Sequence, residues 1–180
     1  MSIDQQILDI QQQYIVEKNH KNSQYFHAIK ALVAGRSAAS DSQQYYLWQQ
    51  AIDGVYRLVE DEILTNPGQP LQAIKFGTSG WRGMLGKELF LRSVAVVTAA
   101  ILSLYRDAEH NAALREALGV DSFAEMQQRG CVVGFDNRFG GPILALAVVN
   151  VLAANQVTFY YAGEATTGAL SASVLVRRAA

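Results

Sequence analysis

The sequence predicts an α/β fold with a mostly parallel sheet, preceded by a helical N-terminal extension, and three observations carry that reading. Residues 1–70 hold only helical periodicity and end in the turn-forming Thr65-Asn66-Pro67-Gly68-Gln69-Pro70. From Leu71 to Ala180, short β-prone runs alternate with apolar helical segments, and strand, helix, strand in succession implies right-handed crossovers and a parallel sheet. Cys131 to Phe135 is apolar without alternation, as in strands covered on both faces.

In the extension (1–70), Ser2-Ile3-Asp4-Gln5 has the form of a capping box, and Ile3, Ile7, Ile10 and Tyr14 follow at helical spacing, which predicts a first helix to about Lys18. Tyr25, Phe26, Ile29, Leu32 and Val33 mark a second helix that Gly35 can stop in the left-handed conformation. Ser40 to Ser42 offer caps for a third, whose stripe of Tyr45, Trp48, Ile52, Val55, Tyr56, Val59 and Ile63 runs out to Leu64. Such a stripe is core or, alternatively, the face of a partner-binding helical module.

In the second segment (71–180), Ala73 to Phe76 forms a short strand leading into a glycine loop. The next helix presents Val94, Val97, Ile101 and Leu104 on one face, with Ala95, Ala99 and Ala100 permitting close packing on a sheet. Asn111 to Leu118, ended by Gly119, and Ser122 to Gln128 are short helical pieces. After the Cys131–Phe135 strand, Pro142 sits in the first turn of an almost wholly apolar helix through Ala154, Val157 to Tyr161 is the next strand, and a helix follows from Gly168.

Composition narrows the function. The 180 residues are half apolar, enough for a sizeable core, and the net charge of -1 offers no nucleic-acid or membrane surface. The one cysteine, Cys131, has no disulfide partner, which fits a reducing compartment and a packing role. The N-terminus lacks a signal-peptide pattern, and the apolar runs Val94 to Leu104 and Ile143 to Ala154 fall short of the roughly 20 residues of a spanning helix. A cytoplasmic protein is expected. His20, His27 and His110 have no partners at ligand spacing, so no metal is assigned.

The most specific stretch is Ile74-Lys-Phe-Gly-Thr-Ser-Gly-Trp-Arg-Gly83. Gly77, Gly80 and Gly83, with Gly86 beyond, allow sharp turns and close approach of amides to a ligand. Thr78 and Ser79 add hydroxyls, and Arg82 adds a planar fork that can grip two phosphate oxygens. The spacing is not that of a P-loop, because Trp81 stands five residues before Gly86 and Glu88 follows Lys87. It is not G-x-G-x-x-G either. A tight structural turn with an exposed arginine remains the alternative.

This stretch resembles the opening signature of the phosphohexomutases, the phosphoglucomutase and phosphomannomutase family. Val132-Val-Gly-Phe-Asp-Asn-Arg138 resembles that family's strand ending in an Asp-x-Arg loop, and Gly163 to Val174 is similar to the segment leading towards its active-site serine. The three pieces occur in family order and cover Leu71 to Ala180; residues 1–70 lie outside the resemblance. It implies a three-layer α/β/α domain I in which Gly77, Thr78, Ser79, Gly80 and Arg82, together with Asp136 and Arg138, support a phosphate-bearing cleft. Without the family, Arg138 reads equally as a surface arginine and Asp136 as a helix cap. Two positions depart from the pattern: Leu91 replaces a capping threonine, moving the cap to Ser93 or losing it, and Gly140-Gly141 replaces a hydroxyl residue.

The reaction implied is transfer of phosphoryl between the 1- and 6-positions of glucose or mannose phosphate through a phosphoserine, with Mg2+ in the full-length family enzyme. No Ser-His-Asn-Pro loop and no Asp-Gly-Asp-Gly-Asp-Arg metal loop occurs in the sequence. Ser171 and Ser173 lack the following His-Asn-Pro, Ser79 has no nearby histidine, and Gly163-Glu164 with Thr167-Gly168 mimics a sugar loop out of chain order. No catalytic residue and no cofactor is therefore assigned to this chain. The sequence reads as a phosphohexomutase domain I ahead of its serine loop, inactive alone; the alternative is a stand-alone phosphosugar-binding or helical interaction module. An exposed sheet edge and interdomain face would favour self-association.

Overall fold

The computed structural model describes residues 2–78 and 80–179. The chain is α/β and divides into two compact units, residues 1–90 and 91–180. Each is described separately.

The first unit is built on three helices, α1 (Ile3–Tyr14), α2 (Tyr25–Ser37) and α3 (Ser42–Thr65). Ser2 caps α1, its hydroxyl accepting from the Gln5 amide at 3.2 Å. The helix ends at Tyr14, short of the expected Lys18. Buried Ser23 captures the chain instead: its hydroxyl accepts from the Val16 amide and donates to the Asn19 carbonyl, and Lys18 turns to φ 53°.

Helix α2 runs through Gly35, which has no left-handed conformation and does not end it. A Cβ at Gly35 would lie 2.6 Å from the Trp48 ring, so the glycine admits an indole between helices. Asp41 caps α3 by accepting from the Gln44 amide at 2.8 Å. Trp48, Ile52, Val55, Val59 and Ile63 of α3 are buried, as are Tyr25, Ile29 and Leu32 of α2, while Tyr45 and Leu64 at the ends of the expected stripe are exposed. Each fully buried aliphatic residue contributes about 1.5–3 kcal/mol.

The segment after α3 packs with these helices. Asn66 donates from its side chain to the Gly86 carbonyl at 2.7 Å, and the Leu71 amide donates to Lys87 O at 3.3 Å. Strands β1 (Phe76–Gly77) and β2 (Gly80–Trp81) form an antiparallel hairpin. The expected strand before the glycine loop is thus shorter and pairs within the hairpin rather than with the parallel sheet. The division between units falls after Phe90, downstream of the compositional change at Pro70.

The second unit contains α4 (Leu91–Asp107), a 3₁₀ turn at Ala108–His110, α5 (Ala112–Leu118), α6 (Phe123–Arg129), β3 (Cys131–Phe135), α7 (Gly141–Ala154), β4 (Phe159–Glu164) and α8 (Thr167–Arg177). Asn111, Ser122 and Thr166 cap α5, α6 and α8 with side-chain oxygens. Strands β3 and β4 are parallel, joined through α7, with a bulge where Tyr161 opposes Val133 and Gly163 opposes Gly134. Strand β4 starts later than expected because the Val157 and Thr158 amides donate to Leu152 and Gln127 carbonyls instead.

Leu102, Val120, Met126, Val133, Ala145, Leu152 and Val157 form the core of this unit. Helix α4 buries Ser93, Thr98 and Leu102 and leaves Ile101 and Leu104 exposed, so the expected face is rotated. Thr98 tolerates burial because its hydroxyl donates to Val94 O at 2.8 Å.

Gly35→Ala is expected to destabilise the chain by roughly 1–3 kcal/mol, because overpacking against Trp48 outweighs the helix propensity gained. Urea unfolding measures this; a more stable variant would refute the notch.

Candidate functional site

The glycine loop is the turn of the β1–β2 hairpin. Phe76 faces Trp81 and Gly77 faces Gly80 in register. Thr78 lies in the turn, and Ser79 lies outside the described residues. Gly80 has φ 107°, a conformation that L side chains rarely adopt, so the hairpin requires glycine there. Gly77, Thr78 and Arg82 are exposed.

Beyond Arg82 the chain folds into a compact turn. The Lys87, Glu88 and Leu89 amides all donate to Met84 O, at 3.2, 2.9 and 3.1 Å. Buried Glu88 accepts from the Met84 amide at 2.8 Å, and a Cβ on Gly83 would lie 2.4 Å from the Glu88 Cβ. Gly83 therefore serves the packing of Glu88, a structural task distinct from amide presentation.

Asp136 and Arg138 follow β3 in the second unit. The Asp136 carboxylate accepts from Arg138 Nε at 2.9 Å to both oxygens, from Nη2 at 2.9 Å, and from the Arg138 amide at 3.2 Å. Hydrogen bonds from the Arg138 side chain, then from its amide, hold the Asp136 carboxyl below the usual carboxylate range. The pair is exposed, with the Arg138 side chain 84% accessible, so it contributes little to stability. Asp136 thus binds Arg138 and leaves α7 without a side-chain cap.

Gly140 enters α7 at φ 79°, and a Cβ on Gly141 would lie 3.1 Å from Asp136 O. The two glycines let the loop fold back on its own strand end, where a larger hydroxyl residue would crowd it. The structure thus brings Asp136 and Arg138 together, and it places Gly77, Thr78, Gly80 and Arg82 in the other compact unit.

Sequence reasoning passed over Glu62. It is 2% exposed, its Oε2 has no hydrogen-bond partner, and His20 Nδ1 lies 3.4 Å away. Burial, offset by the Lys87 charge, pushes its carboxyl up to about 7. A cavity of about 330 Å³ opens beside it, bordered by His20, Asn66, Pro67 and Lys87. The signal was present: Glu62 continues the apolar line of Val55 and Val59, where an acidic residue is out of place.

Other expected features take structural positions. The Ser173 hydroxyl donates to Ala169 O within α8, Gly163-Glu164 ends β4, and Thr167-Gly168 begins α8. Among the described residues, no group of three or more His, Cys, Asp or Glu could hold a metal ion. No described helix is long and apolar enough to cross a membrane.

A family model described as phosphoglucomutase/phosphomannomutase, alpha/beta/alpha domain I, matches residues 73–180, more than half of the chain. No curated protein and no solved structure matches.

Gly80→Ala is expected to lower stability by roughly 1–3 kcal/mol through backbone strain at positive φ. Denaturant unfolding checks this, and an unchanged midpoint would remove the requirement for glycine.

Proposed function

The chain belongs to the phosphoglucomutase/phosphomannomutase family through its α/β/α domain I, and from that membership we propose that it supplies phosphate-binding support to a hexose-phosphate mutase. The observation that carries this reading is Arg82, an exposed residue set immediately after a hairpin whose turn is fixed by Gly80. A fixed cation beside turn amides suits a phosphate monoester: the planar fork binds two oxygens while main-chain donors meet others. A transferring phosphoryl group spreads charge over its oxygens, and donors placed beforehand stabilise that charge without reorganising.

Arg138 is the second cation of this proposal, from the loop after β3. Its guanidinium already shares Asp136, so an incoming phosphate must compete with that carboxylate or use the remaining N–H groups. The nucleophile is not in this sequence, since no Ser-His-Asn-Pro loop occurs and Ser173 is bonded along its own helix.

The supporting experiment is a titration with glucose 1-phosphate, glucose 6-phosphate and inorganic phosphate, followed by amide shifts of Gly77, Gly80 and Gly83. Arg82→Ala is expected to weaken binding about tenfold or more, the loss of a charge-assisted contact worth roughly 1.5–3 kcal/mol. Equal affinity of wild type and variant would overturn the assignment. Interconversion of glucose 1- and 6-phosphates by these 180 residues is expected to be undetectable in a coupled assay, and turnover would overturn the view that the nucleophile lies elsewhere.

A further inference from the structure

We propose that Glu62 is a proton-sensitive positioning residue for the glycine hairpin: its carboxyl, buried beneath the Gly86–Lys87 turn, keeps the turn closed when neutral and favours its opening when charged. The functional meaning of this device rests on the phosphate reading above, whereas the device itself rests on geometry alone.

The turn is fastened to the helices at few points, and Glu62 lies under them. Asn66 holds the Gly86 carbonyl, and the Leu71 amide holds the Lys87 carbonyl. Lys87 Nζ donates to Ser23 O at 2.5 Å and Lys21 O at 3.1 Å. A Cβ on Gly86 would lie 3.0 Å from the Glu62 Cγ, so the turn backbone packs directly on the glutamate stem. The same turn leads back through Gly83 to Arg82 and β2, and a shift in it is passed to the hairpin along a short chain path.

The groups facing Glu62 explain the sensitivity. From the loop after α1 come His20, 3.4 Å from Oε2, and Lys21 across the cavity. From α2 comes Tyr25, whose hydroxyl is bonded to the same His20 Nδ1. From the turn comes Lys87, committed to two carbonyls, while Glu88 is turned onto the Met84 amide. Asp61, next to it on α3, borders a different cavity. No facing group hydrogen-bonds Oε2, so a charged carboxylate there is poorly compensated in a buried site. Lifting the turn would let water reach it.

The sign follows from linkage. Burial raises the closed-state value to about 7, against 4.5 for a hydrated glutamate, so the closed turn binds the proton more tightly. Opening therefore becomes more favourable as pH rises through that window and levels off above the closed-state value.

Hydrogen exchange of the Gly86, Lys87 and Leu89 amides, corrected for intrinsic exchange rates, tests this on the full 180-residue chain. Expected for wild type is an opening constant that rises roughly tenfold per pH unit from about 5 towards 7 and then flattens. Glu62→Gln, similar in shape and neutral throughout, is expected to give a flat profile with the turn protected, and Glu62→Met provides the same comparison should the glutamine variant lose its fold. A wild-type profile as flat as either variant's, or a variant profile as steep as wild type's, would overturn the proposal. Because the measurement uses no ligand, it is independent of the Arg82 titration. A sensitive turn without phosphate affinity would sink only the phosphate reading.

Discussion

The first unit depends on burying one face of α3. The same stripe that takes Trp48 into the Gly35 notch of α2 continues through Val55 and Val59 to Ile63, and on that line stands Glu62. An apolar face of this length offsets the backbone entropy of a 24-residue helix, and it tolerates one ionisable group because the surrounding contacts hold that group in place. The end of α3 also holds the turn at Gly86 through Asn66. Asn66 fastens the turn, the turn fixes Gly83, and Gly83 adjoins Arg82.

How much of this was legible depended on the distance over which each signal acts. Ser2, Asn111, Ser122 and the apolar run at Cys131 announce their elements because a cap or a short apolar strand is decided within a few residues, although only Val133 of that strand is buried. The end of β3 at Asp136 was readable for the same reason. Gly35 was not: a helix stop and a notch for an indole call for the same residue, and only the Trp48 side chain distinguishes them. Helix α4 does have an apolar face in its sequence, but the chain packs it on α7, and that contact, rather than the helix's own periodicity, chooses the buried side.

The candidate site was legible in its residues and less so in their duties. The family signature drew attention to every glycine between 77 and 86 as a donor of amides. In the folded chain these glycines divide their labour: Gly80 shapes the turn, and Gly83 and Gly86 make room for the carbon stems of Glu88 and Glu62. Asp136 and Arg138 were expected as separate contributors, and they form one locally neutralised pair. That arrangement lowers the positive potential an arginine would otherwise project.

The bulge in β4 has a consequence for how this strand can evolve. Ala162 is the supernumerary residue, since Tyr161 pairs with Val133 and Gly163 with Gly134. Side chains on a pleated strand alternate sides, so an additional residue reverses the parity of all that follow, placing Glu164 and the path into α8 in the phase they now occupy. A one-codon deletion there would invert that phase while leaving the composition nearly untouched, which makes the spacing at this point, more than the identity of any neighbouring side chain, the quantity under constraint.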